Sequence, residues 1–147
     1  MELRQHFNDE PGAAGEMTIR LDPSTGRTHS HGAGFWSVSQ ATDYFADWRA
    51  IVGDIHSRGL SLHAIVDLRE AEVQSNDVAA VIGSVTAEIY RPGDHIAMIV
   101  PTSLAKMQMR RVLDVRYHEF FVSPAAADLW LDGKAGSARL RPTPPSL

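Results

Sequence analysis

Apolar residues fall into two rhythms along this chain. Met17-Thr18-Ile19-Arg20-Leu21 alternates apolar with polar, the period of a half-buried strand. Asp22-Pro23-Ser24-Thr25-Gly26 then predicts a turn, because proline presets φ and glycine accepts a positive one. Residues 27–31 return as a second, antiparallel strand, closed by Gly32-Ala33-Gly34. From Ser37 the rhythm changes. Ala41, Tyr44, Phe45, Trp48, Ile51, Val52 and Ile55 recur at three- and four-residue steps, the apolar stripe of a helix. Ser37 and Gln40 have capping-box spacing, in which each satisfies the other's backbone N–H. Gly59 stands where such a helix leaves through left-handed backbone.

Leu62-His63-Ala64-Ile65-Val66 reads as the next strand, opening into a loop over 67–74. A second helix follows Ser75-Asn76-Asp77, with Val78, Val81, Ile82, Val85 and Ile89 on one face and Pro92-Gly93 as its stop. Ile96-Ala97-Met98-Ile99-Val100 is a continuous apolar run, as expected for a strand covered on both faces. Pro101, Thr102 and Ser103 lead into a third helix near 103–113. Residues 119–122 form a short last strand. Ser123-Pro124 supplies a cap and a first-turn proline for a final helix through Leu131. The order β-β-α-β-α-β-α-β-α predicts an α/β fold. Its sheet is mixed and mostly parallel, with right-handed crossovers and an N-terminal antiparallel hairpin. Residues 1–15, with Pro11, Gly12 and Gly15, are expected as a flexible arm, 16–133 as one domain, and 134–147 as a disordered proline-rich tail.

Composition narrows the function. The 147 residues suit one domain, and 44% hydrophobic with 22% charged residues is ordinary for a soluble protein. A net charge of −4 argues against nucleic acid as the partner. The absence of cysteine excludes disulfides and thiolate metal sites. No apolar run approaches the ~20 residues of a membrane span, and Met1-Glu2-Leu3-Arg4-Gln5-His6 lacks the apolar stretch of a secretory leader. A cytoplasmic protein without integral membrane association is the expectation.

The strand Ala64-Ile65-Val66-Asp67-Leu68, the turn Tyr90-Arg91-Pro92-Gly93-Asp94-His95 and the segment Ser103-Leu104-Ala105-Lys106-Met107-Gln108-Met109-Arg110 together carry a family resemblance. Over roughly 17–133 the chain resembles the STAS superfamily, the SpoIIAA-like domains of bacterial anti-sigma-factor antagonists. Within it, the chain looks like a less-characterised STAS/SEC14-type branch. The resemblance implies a SpoIIAA-like fold and a regulatory or protein-interaction role rather than an enzyme. In regulatory members, an Asp-Ser-Ser-Gly type motif opens the helix after the central strand, and its second serine is phosphorylated. Registered on Asp67-Leu68, that motif falls on Ser75, Asn76, Asp77 and Val78. A carboxylate therefore occupies the phosphoacceptor position. Two readings stand: an ordinary capped helix whose first-turn carboxylate favours the helix dipole, or a fixed charge that partly mimics a phosphate. The SEC14 likeness implies an alternative, a small hydrophobic ligand or lipid held between helices and sheet. An enzyme acting at the strand-end loops is a weaker alternative.

Other candidate sites follow from residue type. Thr102 and Ser103 offer hydroxyls and N–H groups at a helix start, and Lys106 and Arg110 share one face of that helix, so an anion or partner could bind there. A solvated basic face explains the same residues. His29 and His31 share one face of a strand, but two ligands alone do not make a metal site, and no metal is expected. Asp67, Glu70 and Glu72 cluster in the 67–74 loop, where carboxylates are usually solvated; no catalytic residue is assigned. Met107 and Met109 read as packing, and Trp36, Trp48 and Trp130 as burial against the sheet. Trp36, just before Ser37, has the position of a hydrophobic staple. No dinucleotide, phosphate-cradling or zinc-hydrolase motif is present, so no cofactor is expected. Another protein or a small apolar ligand is the expected partner, and a homodimer is left open.

Overall fold

Six strands form one sheet in the order β1-β2-β3-β4-β5-β6. They are seen in a computed structural model that describes residues 3–7, 15–22 and 25–140. β2 (Glu16–Asp22) pairs antiparallel with β1 (Leu3–Phe7) on one side and with β3 (Arg27–Gly34) on the other. β3 then pairs in parallel with β4 (His63–Ala71), β4 with β5 (His95–Ile99) and β5 with β6 (His118–Phe121). Helices α1 (Val38–Ser57), α2 (Asn76–Thr86) and α3 (Ser103–Val112) make the three crossovers, and α4 (Pro124–Leu140) follows β6.

The strand order never reverses, and this decides where the helices go. Right-handed crossovers that always step in the same direction place their helices on the same face of a sheet. α1, α2 and α3 accordingly share one core with Met17, Ile19, Ala64, Met98 and Phe120. Only α4 crosses to the other face, where Ala127 and Leu131 pack on Ile65, Ala97 and Ile99. β5 is thus covered on both sides, as its unbroken apolar run requires, while β2 and β3 receive a helix on one side.

Local expectations are met at most element starts. Ser37 Oγ accepts the Gln40 N–H at 3.0 Å, Ser75 Oγ the Val78 N–H at 3.2 Å and Thr102 Oγ1 the Ala105 N–H at 3.0 Å. Gly59 leaves α1 at φ +73°. The reciprocal half of the Ser37–Gln40 box is absent, because the Gln40 amide donates instead to the carbonyls of His6 and Gly15. That pull comes from β1, an element the hydrophobic rhythm did not predict. It joins the sheet by backbone pairing to β2, and His6 lies 2.8 Å from Asp47 of α1. α2 ends at Thr86, ahead of the proline stop, and α4 continues past 133 to Leu140. The expected disordered tail lies, from 141 onward, outside the described residues.

β4 is longer than its apolar run. It continues through Asp67 and Glu70 to Ala71, because β3 extends beside it and pairs His31 with Asp67 and Ala33 with Glu70. The expected 67–74 loop shrinks to residues 72–75, and the three-carboxylate loop cluster is not formed.

Candidate functional site

An apolar cavity of about 370 Å³ lies between the sheet and helices α1, α2 and α3. Its floor includes Met17, Val66 and Met98, and α1 contributes the aromatic wall of Tyr44, Phe45 and Trp48. α2 lines the cavity with Ala79, Ile82 and Thr86 and α3 with Ala105 and Met109, and α3 buries none of its residues fully. Protein interiors are otherwise close-packed, so an unfilled space of this size forfeits contacts that an occupant would restore. The volume falls at the lower end of the ~300–1,000 Å³ usual for ligand pockets.

The cavity opens where α2 and α3 part. Val73, which is 83% exposed, sits at the opening with Glu72, Pro101 and Gln108. Among the described residues, Glu72 is the one charged residue in the lining. Gln74 fastens this rim. Its Oε1 accepts the Trp36 N–H at 2.8 Å, and its Nε2 donates to the carbonyls of Gly34 at 2.9 Å and Glu72 at 2.7 Å. Trp36 lines the cavity as well, with its ring N–H on the Ala33 carbonyl, so it serves as wall.

Polar tips also reach the interior. Ser30 Oγ donates to the Thr18 carbonyl at 2.9 Å, which leaves Tyr44 as the donor in the 2.5 Å Tyr44–Ser30 bond. Burial pushes the Tyr44 phenol up to about 12, with the Ser30 bond working against it. Tyr90 Oη accepts the Trp48 ring N–H at 3.0 Å, and burial raises its pKa further. His118, 3% exposed, meets the Asp114 carbonyl through Nδ1 at 3.0 Å. A carbonyl only accepts, so Nδ1 carries the proton. Burial lowers the His118 pKa, outweighing the opposing effects of Asp114.

The other sheet face bears a polar groove of about 470 Å³ lined by Arg20, His29, His31, Asp67, Arg69 and Asp128. Asp67 is held by Arg69, whose Nε and Nη2 reach its two oxygens at 3.0 and 2.7 Å. Those bonds hold the carboxyl below the usual range. His29 is lowered, by burial first and by Arg20 second. Among the described residues no group of three or more His, Asp or Glu gathers as a metal site would need.

The structure separates the expected regulatory corner. Asp67 faces the polar groove, with Pro124 and Asp128 beside it. Ser75, Asn76 and Asp77 are exposed at the start of α2. In the second candidate site, Thr102 spends its hydroxyl on the α3 cap, Ser103 is exposed in the first turn, and Arg110 pairs with Glu119 at 3.1 Å. Lys106 remains half-buried one turn along α3. Gln74, Tyr90 and His118 were not legible as site residues. The one signal for Tyr90 is its place before the Pro92-Gly93 turn, and His118 stands alone beside a short apolar strand.

No family model matches the chain, and no curated protein matches it. Among solved structures, it is similar to the crystal structure of an uncharacterized protein of the DUF3478 family from Shewanella loihica PV-4, described as having a SpoIIAA-like fold. The identity is 13%, over 84% of this chain and 98% of that one, with a TM-score of 0.57. The fold is SpoIIAA-like. The SpoIIAA-like sheet therefore carries the cavity on its three-helix face and the Asp67 groove on the other. Among the described residues, no helix is long and apolar enough to cross a membrane.

Proposed function

We propose that this domain is a non-enzymatic binding module that holds a small, uncharged, mainly apolar ligand between α1–α3 and the sheet. The observation that carries this reading is the 370 Å³ cavity, whose only charged lining residue among the described ones, Glu72, stands at its mouth. A buried ion without a partner is costly, so an interior without lysine, arginine or carboxylate favours a neutral occupant.

The neutral dye Nile red tests this. Binding of one molecule per chain is expected, with loss of binding in Ala105→Trp, whose indole fills the cavity. An unchanged melting temperature in that variant would show that the fold survives. Equal dye binding by both proteins would sink the reading.

A second reading, protein interaction, rests on the outer side of α3. Leu104 and Met107 are exposed there beside Arg111. Asp77, which the STAS resemblance would place at the phosphoacceptor position, fits a module that is not switched by serine phosphorylation. Pull-down with the intact chain and with Leu104→Ser/Met107→Ser tests the α3 surface. A partner set that is identical for the two would remove this reading.

A further inference from the structure

The cavity's polar atoms differ in whether their hydrogen-bonding capacity is already used. Ser30 donates to the Thr18 carbonyl and accepts from Tyr44, so both hydroxyl protons are engaged. Thr86 donates back to the Ile82 carbonyl at 2.7 Å. Gln74 uses its oxygen and both amide protons, and the Trp36 and Trp48 ring N–H groups are each bonded. Glu72 and Gln108 belong to the exposed rim. Away from the rim, one hydroxyl proton and one ring nitrogen have no bond at all among the described residues, while the Tyr44 and Thr86 hydroxyls keep spare lone pairs. Tyr90 Oη accepts from Trp48, but its own proton has no acceptor among the described residues. His118 Nδ1 is committed to Asp114, and Nε2, at the far side of the ring, has no partner among the described residues. Nε2 is also absent from the fully enclosed unpaired atoms, which among the described residues are Thr28 Oγ1 and Gln40 Oε1.

These two atoms belong to neighbouring rings. The centroids of Tyr90 and His118 are 5.2 Å apart, edge to face. Tyr90 supplies a donor, and the uncharged imidazole supplies a lone pair. A carboxylate or phosphate would meet that lone pair with no cation in the lining to offset its charge. An ammonium would find no counterion inside. An ether or ketone could use only the Tyr90 proton. A hydroxyl both accepts and donates through one atom and stays uncharged at neutral pH.

From the geometry we infer that the ligand is a neutral apolar alcohol, its hydroxyl accepting from Tyr90 Oη and donating to His118 Nε2 while its hydrocarbon part fills the cavity. This rests on the ligand-binding reading of the cavity and adds the class of ligand to it. The apolar walls supply affinity without selecting a functional group, and the Tyr90–His118 pair supplies the selection. A site built to hydrogen-bond a hydroxyl rejects analogues that leave its buried partner unpaired.

Calorimetric titration of the full chain with three probes separates the outcomes: 1-decanol, its isomeric ether 1-methoxynonane, and decanoate at neutral pH. The alcohol is expected to bind roughly tenfold more tightly than the ether, which loses one buried hydrogen bond, and decanoate more weakly than either. His118→Phe is expected to bring the alcohol down to the ether's affinity while leaving ether binding unchanged, and Tyr90→Phe to weaken alcohol and ether alike, because both accept the Tyr90 proton. Unchanged ether binding also reports that His118→Phe is folded, and an unchanged melting temperature reports the same for Tyr90→Phe. Equal affinities of alcohol and ether in the unaltered chain would overturn the alcohol inference and leave the apolar cavity as a binding site. Binding by none of the three probes would overturn both.

Discussion

His56 Nε2 lies 2.8 Å from Asp94 Oδ2, joining the last turn of α1 to the turn that leads into β5. Asp94 is 1% exposed and also accepts the backbone N–H groups of Leu62 and Arg91, each at 2.8 Å. One carboxylate thus closes three chain segments beneath Tyr90.

Asp94→Ala leaves those donors buried without an acceptor, at an expected cost of about 3 kcal/mol of stability. Asp94→Asn keeps one acceptor oxygen and should cost less. Urea unfolding of the two variants checks the order, and equal stability in the unaltered chain and Asp94→Ala would refute the role.

Two glycines should respond to alanine with opposite signs. Gly93 has φ +100°, and a Cβ there would stand 2.8 Å from Ser61 Oγ. Gly53 is exposed within α1, with open space around a Cβ. Gly53→Ala is expected to stabilise by about 0.5–1 kcal/mol and Gly93→Ala to destabilise by more than about 1 kcal/mol. Thermal melts give both signs directly, and stabilisation by Gly93→Ala would contradict the account.

Acid should weaken the fold before the carboxylates titrate. Burial lowers the folded-state pKa of His118 below its ordinary 6.5, and burial acts first in lowering His29, His63 and His95 too. As pH falls through 6.5 the unfolded chain takes up protons that the folded chain does not, so stability present above that point is lost below it. The urea midpoint at about pH 5.5 should lie below that at about pH 7.5, with a smaller gap in His118→Gln. A midpoint independent of pH across that window would be the contrary result.

The start of α2 separates a cap from a switch. Ser75→Ala should cost about 1 kcal/mol through loss of the Val78 bond, and Asp77→Ser about 0.3–1 kcal/mol through the helix dipole. If Asp77 is only a helix-start charge, Asp77→Ser changes stability and leaves partner capture from a pull-down intact. Altered capture at unchanged fold would assign it a regulatory charge.

The elements were largely legible because their signals are local. The Ala41–Val52 stripe, the Ser75 cap and the apolar run at Ile96 each write their structure within one or two turns of chain. β1 was not legible, since its place depends on backbone pairing to β2 and on Gln40 reaching the His6 carbonyl, 34 residues away. The length of β4 was hidden for the same reason. Its polar half, Asp67 to Ala71, is strand because β3 runs alongside.

The candidate site was less legible still. Tyr44 and Trp48 read as core from their spacing, and core residues they are, but the same spacing says nothing about whether the facing helices fill the space. That depended on how α3 rests on the sheet, without a fully buried residue. The amino-acid order by itself determined the strand and helix periods, the caps and the alternation of strands with helices from residue 17 onward, because propensity and periodicity act between near neighbours. Tertiary structure alone decided that Tyr90 and His118 share one cavity and that Asp67 belongs to the opposite face. Those relations join residues far apart in the chain, and they are set by how the sheet packs its helices.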